Sequence, residues 1–353
     1  MPHALNWKQL TDVITRLATN TSIDIHIWYR ARMQNFWQEL KKPFFVLAPM
    51  EDVTDAAFRR LIAQKANPDV PHVIFTEFTS ADGLMLADEK GKTKLMRKLL
   101  FSEAERPMVA QLFTSHLEHM ERAAKLVAEL GFDGLDINMG CPDRAVEKSS
   151  CGAALIKQPQ LARELIRAAK RGFPGPVSVK TRLGYNEDEL ETWLPELLAE
   201  DPVAVTLHLR TRKEMSAVPA HWDRMARAVE IRNDLKSGAF ILGNGDVKDL
   251  ADARVKVEQT GCDGVMLGRA VFGNPWIFSD RTDEPTSKER IEALIEHLRL
   301  FEELLGDVTN YAVMKKHFKA YITGWDGAKD LRALLMDTDS VTSAIQVLNL
   351  NSK

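Results

Sequence analysis

Cysteine is scarce in this chain, and its few copies are not arranged as a framework. Three cysteines, Cys141, Cys151 and Cys262, in 353 residues leave no disulfide network, and no C-x-x-C pair suggests zinc. The expected setting is a reducing cytoplasm, and no metal is expected. Long apolar runs are missing as well. No stretch approaches the roughly 18 residues of a membrane helix, and the opening MPHALNWKQLTDV lacks the charged-then-apolar pattern of a secretory signal. A strong excess of one charge is also absent, and a net charge of −3 advertises no nucleic-acid partner across the whole chain. What remains is 45% hydrophobic and 27% charged residues, the composition of a soluble protein with a full core. The length holds one large domain plus a small one, or two ordinary ones.

Charge is nonetheless uneven along the chain. Residues 90–98 (KGKTKLMRK) carry five basic side chains and no acid, and residues 186–201 carry seven acids and no base. Such a run is ordinarily a solvated face. Residues 1–32 have no clear period, whereas MQNFWQELKKPFFVLAPM, from Met33, reads as the start of a compact domain. Residues 1–35 are therefore taken as an N-terminal extension, with Met33 a candidate initiator.

A regular alternation follows. Short β-like runs fall at 44–50, 73–78, 107–113, 134–140, 176–184, 204–210, 239–246 and 264–270, with helical patterns such as 115–130, 160–171, 188–200 and 247–259 between them. Starts recur at about the 30-residue period of a βαβ unit. Eight such units with near-continuous apolar strands predict a closed (β/α)8 TIM barrel over residues 36–282. An open doubly wound sheet is the alternative. After Phe278 the strand signal stops, and 286–353 reads as a small all-helical C-terminal domain.

In such a barrel the chemistry sits where strands end. The fourth strand ends in DINMGCP, which holds Cys141 between Gly140 and Pro142 in a loop that closes at Gly152. Cys151 and Cys262 suit the role of small buried hydrophobes; Cys141, at a strand's functional end, does not. A neutral thiol there, with an ordinary pKa of about 8.5, suits a general acid. The other strand ends present Ala48-Pro49-Met50, Glu77, Gln111, Asn138, Lys180 with Arg182, His208 with Arg210, Asn244-Gly245 and Gly268-Arg269. Glycines at the last two, each turning into a helix, predict a phosphate site with Arg269 as a charged contact. Spacing alone separates no flavin from a sugar phosphate, so the residues themselves predict a phosphorylated ligand.

The chain resembles the tRNA-dihydrouridine synthases in LAPMEDVTDAAFRRL, TEFTSADGL, VAQLF, DINMGCP with GAAL, VKTRLG, HLRTR, GNGD, GVMLGRAVFGNPWIF, KHFKAYITG and DLRALL, from about Phe36 to about Leu335. The resemblance implies an FMN-binding barrel, NADPH as reductant and tRNA as substrate; a monomer is expected. It implies hydride delivery to C6 of a uracil and a proton from Cys141 to C5. It also implies FMN contacts from Pro49, Met50, Gln111, Lys180, His208, Asn244, Gly245, Gly268 and Arg269, with Asn138, Lys180 and Arg182 at the flipped uracil. The helical domain would carry a basic, tRNA-facing surface of Lys315, Lys316, Lys319, Lys329 and Arg332, and Lys90, Lys92, Lys94, Arg97 and Lys98 would track a backbone near the second strand. One segment departs from the family: after HLRTR this chain reads KEMSAVPAHWD in place of the usual Gln and Tyr segment, beside the expected RNA path. The remaining readings are a flavin barrel acting on a small pyrimidine or enone, and a tRNA-binding folding helper without catalysis.

Overall fold

The computed structural model describes residues 35–351, so the extension, save its last residue Asn35, and the candidate initiator lie outside the described residues. Eight parallel strands close in sequence order: β1 (Phe44–Leu47), β2 (His72–Ser80), β3 (Met108–Phe113), β4 (Gly134–Asn138), β5 (Val177–Arg182), β6 (Ala204–His208), β7 (Phe240–Asn244) and β8 (Gly264–Leu267). The β8 strand pairs back on β1, Phe44 opposite Gly264 through Leu47 opposite Leu267, which rules out the open sheet. Most of the expected runs extend past the observed strand ends. The surplus residues, such as Pro49-Met50 and Gly140-Cys141, leave the ladder to form loops at the mouth.

Helices fill the crossovers. They are α1 (Ala56–Lys65), α2 (Ala81–Leu86), α3 (Glu89–Lys98), α4 (Leu117–Glu129), α5 (Arg144–Lys148), α6 (Pro159–Gly172), α7 (Leu190–Leu198), α8 (Asp223–Asp234) and α9 (Leu250–Thr260). Their boundaries follow local chemistry. Asp55 and Asp249 accept the free N–H groups of Phe58 and Asp252 at two N-termini, and Pro159 starts α6 where no N–H is needed. The acidic run at 186–201 is not a bare negative face. Glu196 and Glu200 pair with Arg163 and Arg167 of α6, and Asp188 and Glu191 pair with Arg224 and Arg227 of α8.

Strand alternation sorts the side chains into two shells. Leu135, Ile137, Val177, Val179, Val205 and Leu207 face outward into the apolar layer beneath the helices. Phe44, Val46, Phe75, Val109, Leu242 and Met266 face inward. The N-terminal end of the tube is plugged by Trp37, whose ring lies 5.5 Å from Phe44, 6.4 Å from Phe240 and 6.5 Å from Phe75. Toward the C-terminal end the same inward rows turn polar, through Gln111, Asp136, Asn138, Ser178, Lys180 and His208.

Beyond the barrel come α10 (Ser287–Leu305), α11 (Lys315–Tyr321), α12 (Ala328–Met336) and α13 (Val341–Leu350). A capping box of Thr286 and Glu289 starts α10, which packs on α1 and shares the barrel's outer apolar layer. Phe58 of α1 stacks on His297 at 5.0 Å and lies 5.5 Å from His317. Burial holds His297 well below its ordinary value and brings His317 down to about 3, so both rings pack as neutral aromatics.

Candidate active site

The polar end of the tube opens into a cavity of about 730 Å³. Pro49, Met50, Gln111, Asn138, Cys141, Lys180, Arg182, His208, Asn244, Gly245, Gly268 and Arg269 all line it, so the strand-end reading brought one constellation together. Arg210, Asp246, Lys248, Ser216 and Phe78 line it as well. Five cations, Lys180, Arg182, Arg210, Lys248 and Arg269, face one carboxylate, Asp246, among the described lining residues. Such a wall favours an anionic ligand.

The Cys141 loop is held at several points. Asn138 Oδ1 accepts the N–H groups of Gly140 at 3.1 Å and Cys141 at 2.9 Å. The Cys141 carbonyl accepts from Ala153 N at 2.9 Å. Gly152 permits that closure: its φ is +60°, and a Cβ there would sit 2.6 Å from the Cys141 oxygen. Arg182 Nε donates to Gly140 O at 2.7 Å, while its Nη1 reaches Thr211 O at 3.1 Å and Met215 O at 3.0 Å. Arg182 thus ties the thiol loop to the divergent loop after β6. Glu147 of α5 and Arg212 make a second tie, at 2.9 Å between Oε1 and Nε. Burial pushes the Cys141 thiol above its ordinary value, with the nearby Lys180 and Arg182 only partly offsetting it. The other two cysteines are buried; Cys151 Sγ donates to Ser149 O and Cys262 Sγ to Gly264 O.

Electrostatics set the protonation states. Burial, then the Arg182 charge, brings Lys180 down to about 8. Burial, reinforced by Lys180, Arg182, Arg210 and Arg269, keeps His208 neutral. Arg210 Nη1 lies 3.1 Å from His208 Nε2, and a guanidinium only donates, so Nε2 accepts and the His208 proton sits on Nδ1. Asp246 accepts from both Arg210 and Arg269 and from Ala220 N at 2.8 Å, linking the glycine turn after β7 to that after β8. At Gly245 the φ is +124°, and a Cβ would fall 2.9 Å from Ala220 Cβ, so the backbone there is bare because no side chain fits. A Cβ on Gly268 would meet nothing closer than 3.7 Å on Ala48 and Met50.

Glu77 departs from its expected place. The β2–β3 register shifts between Phe75 and Phe78, and Phe78 rather than Glu77 faces the cavity. Glu77 turns to the loop after β1, where it accepts Asp52 N at 2.6 Å. Its carboxylate gathers with Glu51 and Asp52, which pair with Lys98 and Lys316 respectively. Lys315 and Lys316 lie outside the cavity: Lys315 Nζ donates to Met336 O at 2.7 Å, and Lys316 is 3.4 Å from Asp52. Of the basic run 90–98, Arg97 pairs with Asp307 and Lys98 with Glu51, while Lys90 and Lys94 are exposed.

Sequence reasoning missed Asp136, Asp246 and Phe78. An aspartate in mid-strand carries no local signature, and the turn of Phe78 follows from a bulge that only the register reveals.

The family model described as "Dihydrouridine synthase (Dus)" matches residues 46–352. A probable tRNA-dihydrouridine synthase of Staphylococcus aureus (strain COL) is 42% identical over 318 residues, 90% of this chain and 95% of that protein. The probable tRNA-dihydrouridine synthase 2 of Bacillus subtilis (strain 168) is also 42% identical over 318 residues, 90% of this chain and 96% of its own length. Among solved structures, histamine dehydrogenase from Rhizobium sp. 4-9 superposes with a TM-score of 0.50 at 15% identity, covering 74% of this chain and 49% of that one. The 6-hydroxypseudooxynicotine amine oxidase of Pseudomonas geniculata N1 gives 0.50 at 13%, covering 76% and 53%. At such identities these two likenesses speak to the barrel fold alone.

Proposed function

The chain belongs to the dihydrouridine synthase family of oxidoreductases, and from that membership we propose that it reduces the C5=C6 bond of uridines in tRNA in the cytoplasm, with FMN as resident cofactor and NADPH as reductant. The observation that carries this reading is a neutral thiol fixed at the mouth of a cation-lined barrel cavity.

The residues present fit FMN. Bare backbone at Gly245 and Gly268, with Arg269, suits a phosphate; Lys180 and the Gln111 amide suit the polar edge of a flavin; Pro49 and Met50 offer soft apolar contact to its face. His208, neutral and with its proton on Nδ1, adds a donor, and Asn244 is fixed by its bond to Met266 O at 2.8 Å. When bound, reduced FMN supplies the hydride for C6.

The remaining work falls to the chain itself. Cys141, held protonated by burial, donates its proton to C5. Lys180 and Asn138 meet the polar edge of the uracil, and Arg182 keeps the thiol loop in place beside the base. A uracil enters such a site only after leaving its stack, and the mouth loops must receive it extruded. We assign residues 36–282 to catalysis and 286–353 to tRNA binding, with Lys315, Lys316, Lys319 and Lys329 as the basic face toward the phosphates.

The test is purified protein with FMN, NADPH and unmodified tRNA, read by mass spectrometry of tRNA digests. Dihydrouridine should form, and Cys141→Ala should retain flavin and tRNA binding while losing about a hundredfold or more in turnover. No dihydrouridine from a flavin-loaded protein would shift weight to the small-molecule reading; full turnover in Cys141→Ala would remove the thiol from the mechanism.

A further inference from the structure

Across β3, β4 and β5 one rung of the barrel interior is polar from end to end. Gln111 is the register partner of Asp136, and Asp136 of Ser178. All three side chains are buried, and Asp136 is not in the cavity wall. It lies below Asn138 on the same inward face of β4. Both of its oxygens are used: Ser178 Oγ donates to Oδ1 at 2.6 Å, and Gln111 Nε2 donates to Oδ2 at 2.7 Å.

A carboxylate only accepts, so the Gln111 amide must turn its NH2 down and its oxygen up. Gln111 Oε1 then receives Asn138 Nδ2 at 3.0 Å. Asn138 Oδ1 in turn receives the Gly140 and Cys141 N–H groups. One directional chain of hydrogen bonds thus runs from a buried carboxylate, through an amide in the cavity wall, to the peptide that carries the thiol. Each link leaves the next with a single sense, because reversing either amide would set donor against donor.

We propose that Asp136 is a positioning residue: its acceptor oxygen fixes the sense of the Gln111 amide and, through Asn138, the seat of the Cys141 peptide. The half that concerns Gln111 rests on the flavin reading; the half that concerns the thiol loop does not. Burial raises the Asp136 pKa to about 6, with Ser178, Gln111 and the Lys180 charge pulling the other way, so the group is retained at a desolvation cost. An apolar residue would incur no such cost. The carboxylate earns its position by what it orients.

Two near-isosteric variants separate acceptor from shape. Asp136→Asn keeps an oxygen toward Gln111 Nε2, with its NH2 free to face the Ser178 hydroxyl. Asp136→Leu keeps the branched skeleton, with bulkier methyl ends, and removes the acceptor. Three readouts apply: FMN affinity, the visible spectrum of bound FMN, and the rate at which iodoacetamide labels Cys141 in flavin-free protein, followed by peptide mass spectrometry. Asp136→Asn should stay within about threefold of the parent in affinity and labelling. Asp136→Leu should lose about tenfold in FMN affinity, shift the flavin bands and label Cys141 several-fold faster.

A folded Asp136→Leu protein with parental spectrum and labelling overturns the proposal. So does an Asp136→Asn protein that loses as much as the leucine variant, since the charge and not the acceptor would then matter. Should Asp136→Leu fail to fold, Asp136→Ala is read by the same criteria. Should the parent itself bind no FMN, the functional reading fails, and the labelling rates alone decide whether Asp136 seats the thiol loop.

Discussion

Cys141 has both its N–H and its C=O tied down, yet it stays partly exposed at the cavity wall. That combination fixes where the sulfur sits while leaving it reachable. Burial raises its pKa, so the proton stays on through neutral pH and comes off only above the ordinary thiol range. Alkylation of Cys141 should therefore be slow at pH 7 and rise only in the alkaline range (labelling kinetics across pH 6–10 measure this). Rapid labelling at neutral pH would mean a thiolate, and so a nucleophile rather than an acid. The sequence made Cys141 legible because Gly and Pro on either side break a strand at its functional end. It made Lys180, Arg182 and His208 legible because inward positions alternate along a strand. Asp136 and Asp246 were not legible, since their meaning lies in partners on other strands.

At the scale of elements, the eight strands and the helical tail could be read from period and spacing, because apolar runs bounded by glycine and proline carry a strong local signal. The bulge in β2 could not. It diverts Glu77 from the cavity toward Asp52 and exposes a testable cost. Burial, augmented by Asp55 and Glu51 and opposed by Lys98, raises the Glu77 pKa from an ordinary 4.5 to about 7. A raised folded-state pKa stabilises below the unfolded value, and that advantage is lost as pH rises through the folded value. Glu77→Gln cannot ionise and still accepts Asp52 N. Its stability relative to the parent should grow between about pH 4.5 and 7, by on the order of 3 kcal/mol, and then level off. Thermal melts of the two proteins across that range provide the check; a gap that narrows with pH would contradict the assignment.

At the scale of the whole molecule, the barrel and the C-terminal helices share an apolar layer in which Phe58, His297 and His317 meet. Cutting the chain at 286 would strip that layer, so charge reversal on the surface is the cleaner probe of tRNA binding. Lys319 and Lys329 are exposed on the helical face. Reversing both to Glu should weaken tRNA binding about tenfold and flatten its salt dependence, while flavin content stays at the parental level. Filter binding at several salt concentrations would measure this, and unchanged affinity would move the RNA to another face.

The aromatic plug at the far end of the tube has a kinetic consequence. With Trp37 wedged among Phe44, Phe75 and Phe240, the far end of the tube is filled among the described residues, and the cavity's doorway lies at the C-terminal ends of the strands. On the proposed function, a nicotinamide and an extruded base would both approach the same flavin from that side and would not occupy it together. They would then take turns, the oxidised nucleotide departing before the RNA is admitted. Initial-rate plots at several fixed concentrations of the second substrate should then be parallel lines, and intersecting lines would require both to fit through the door at once.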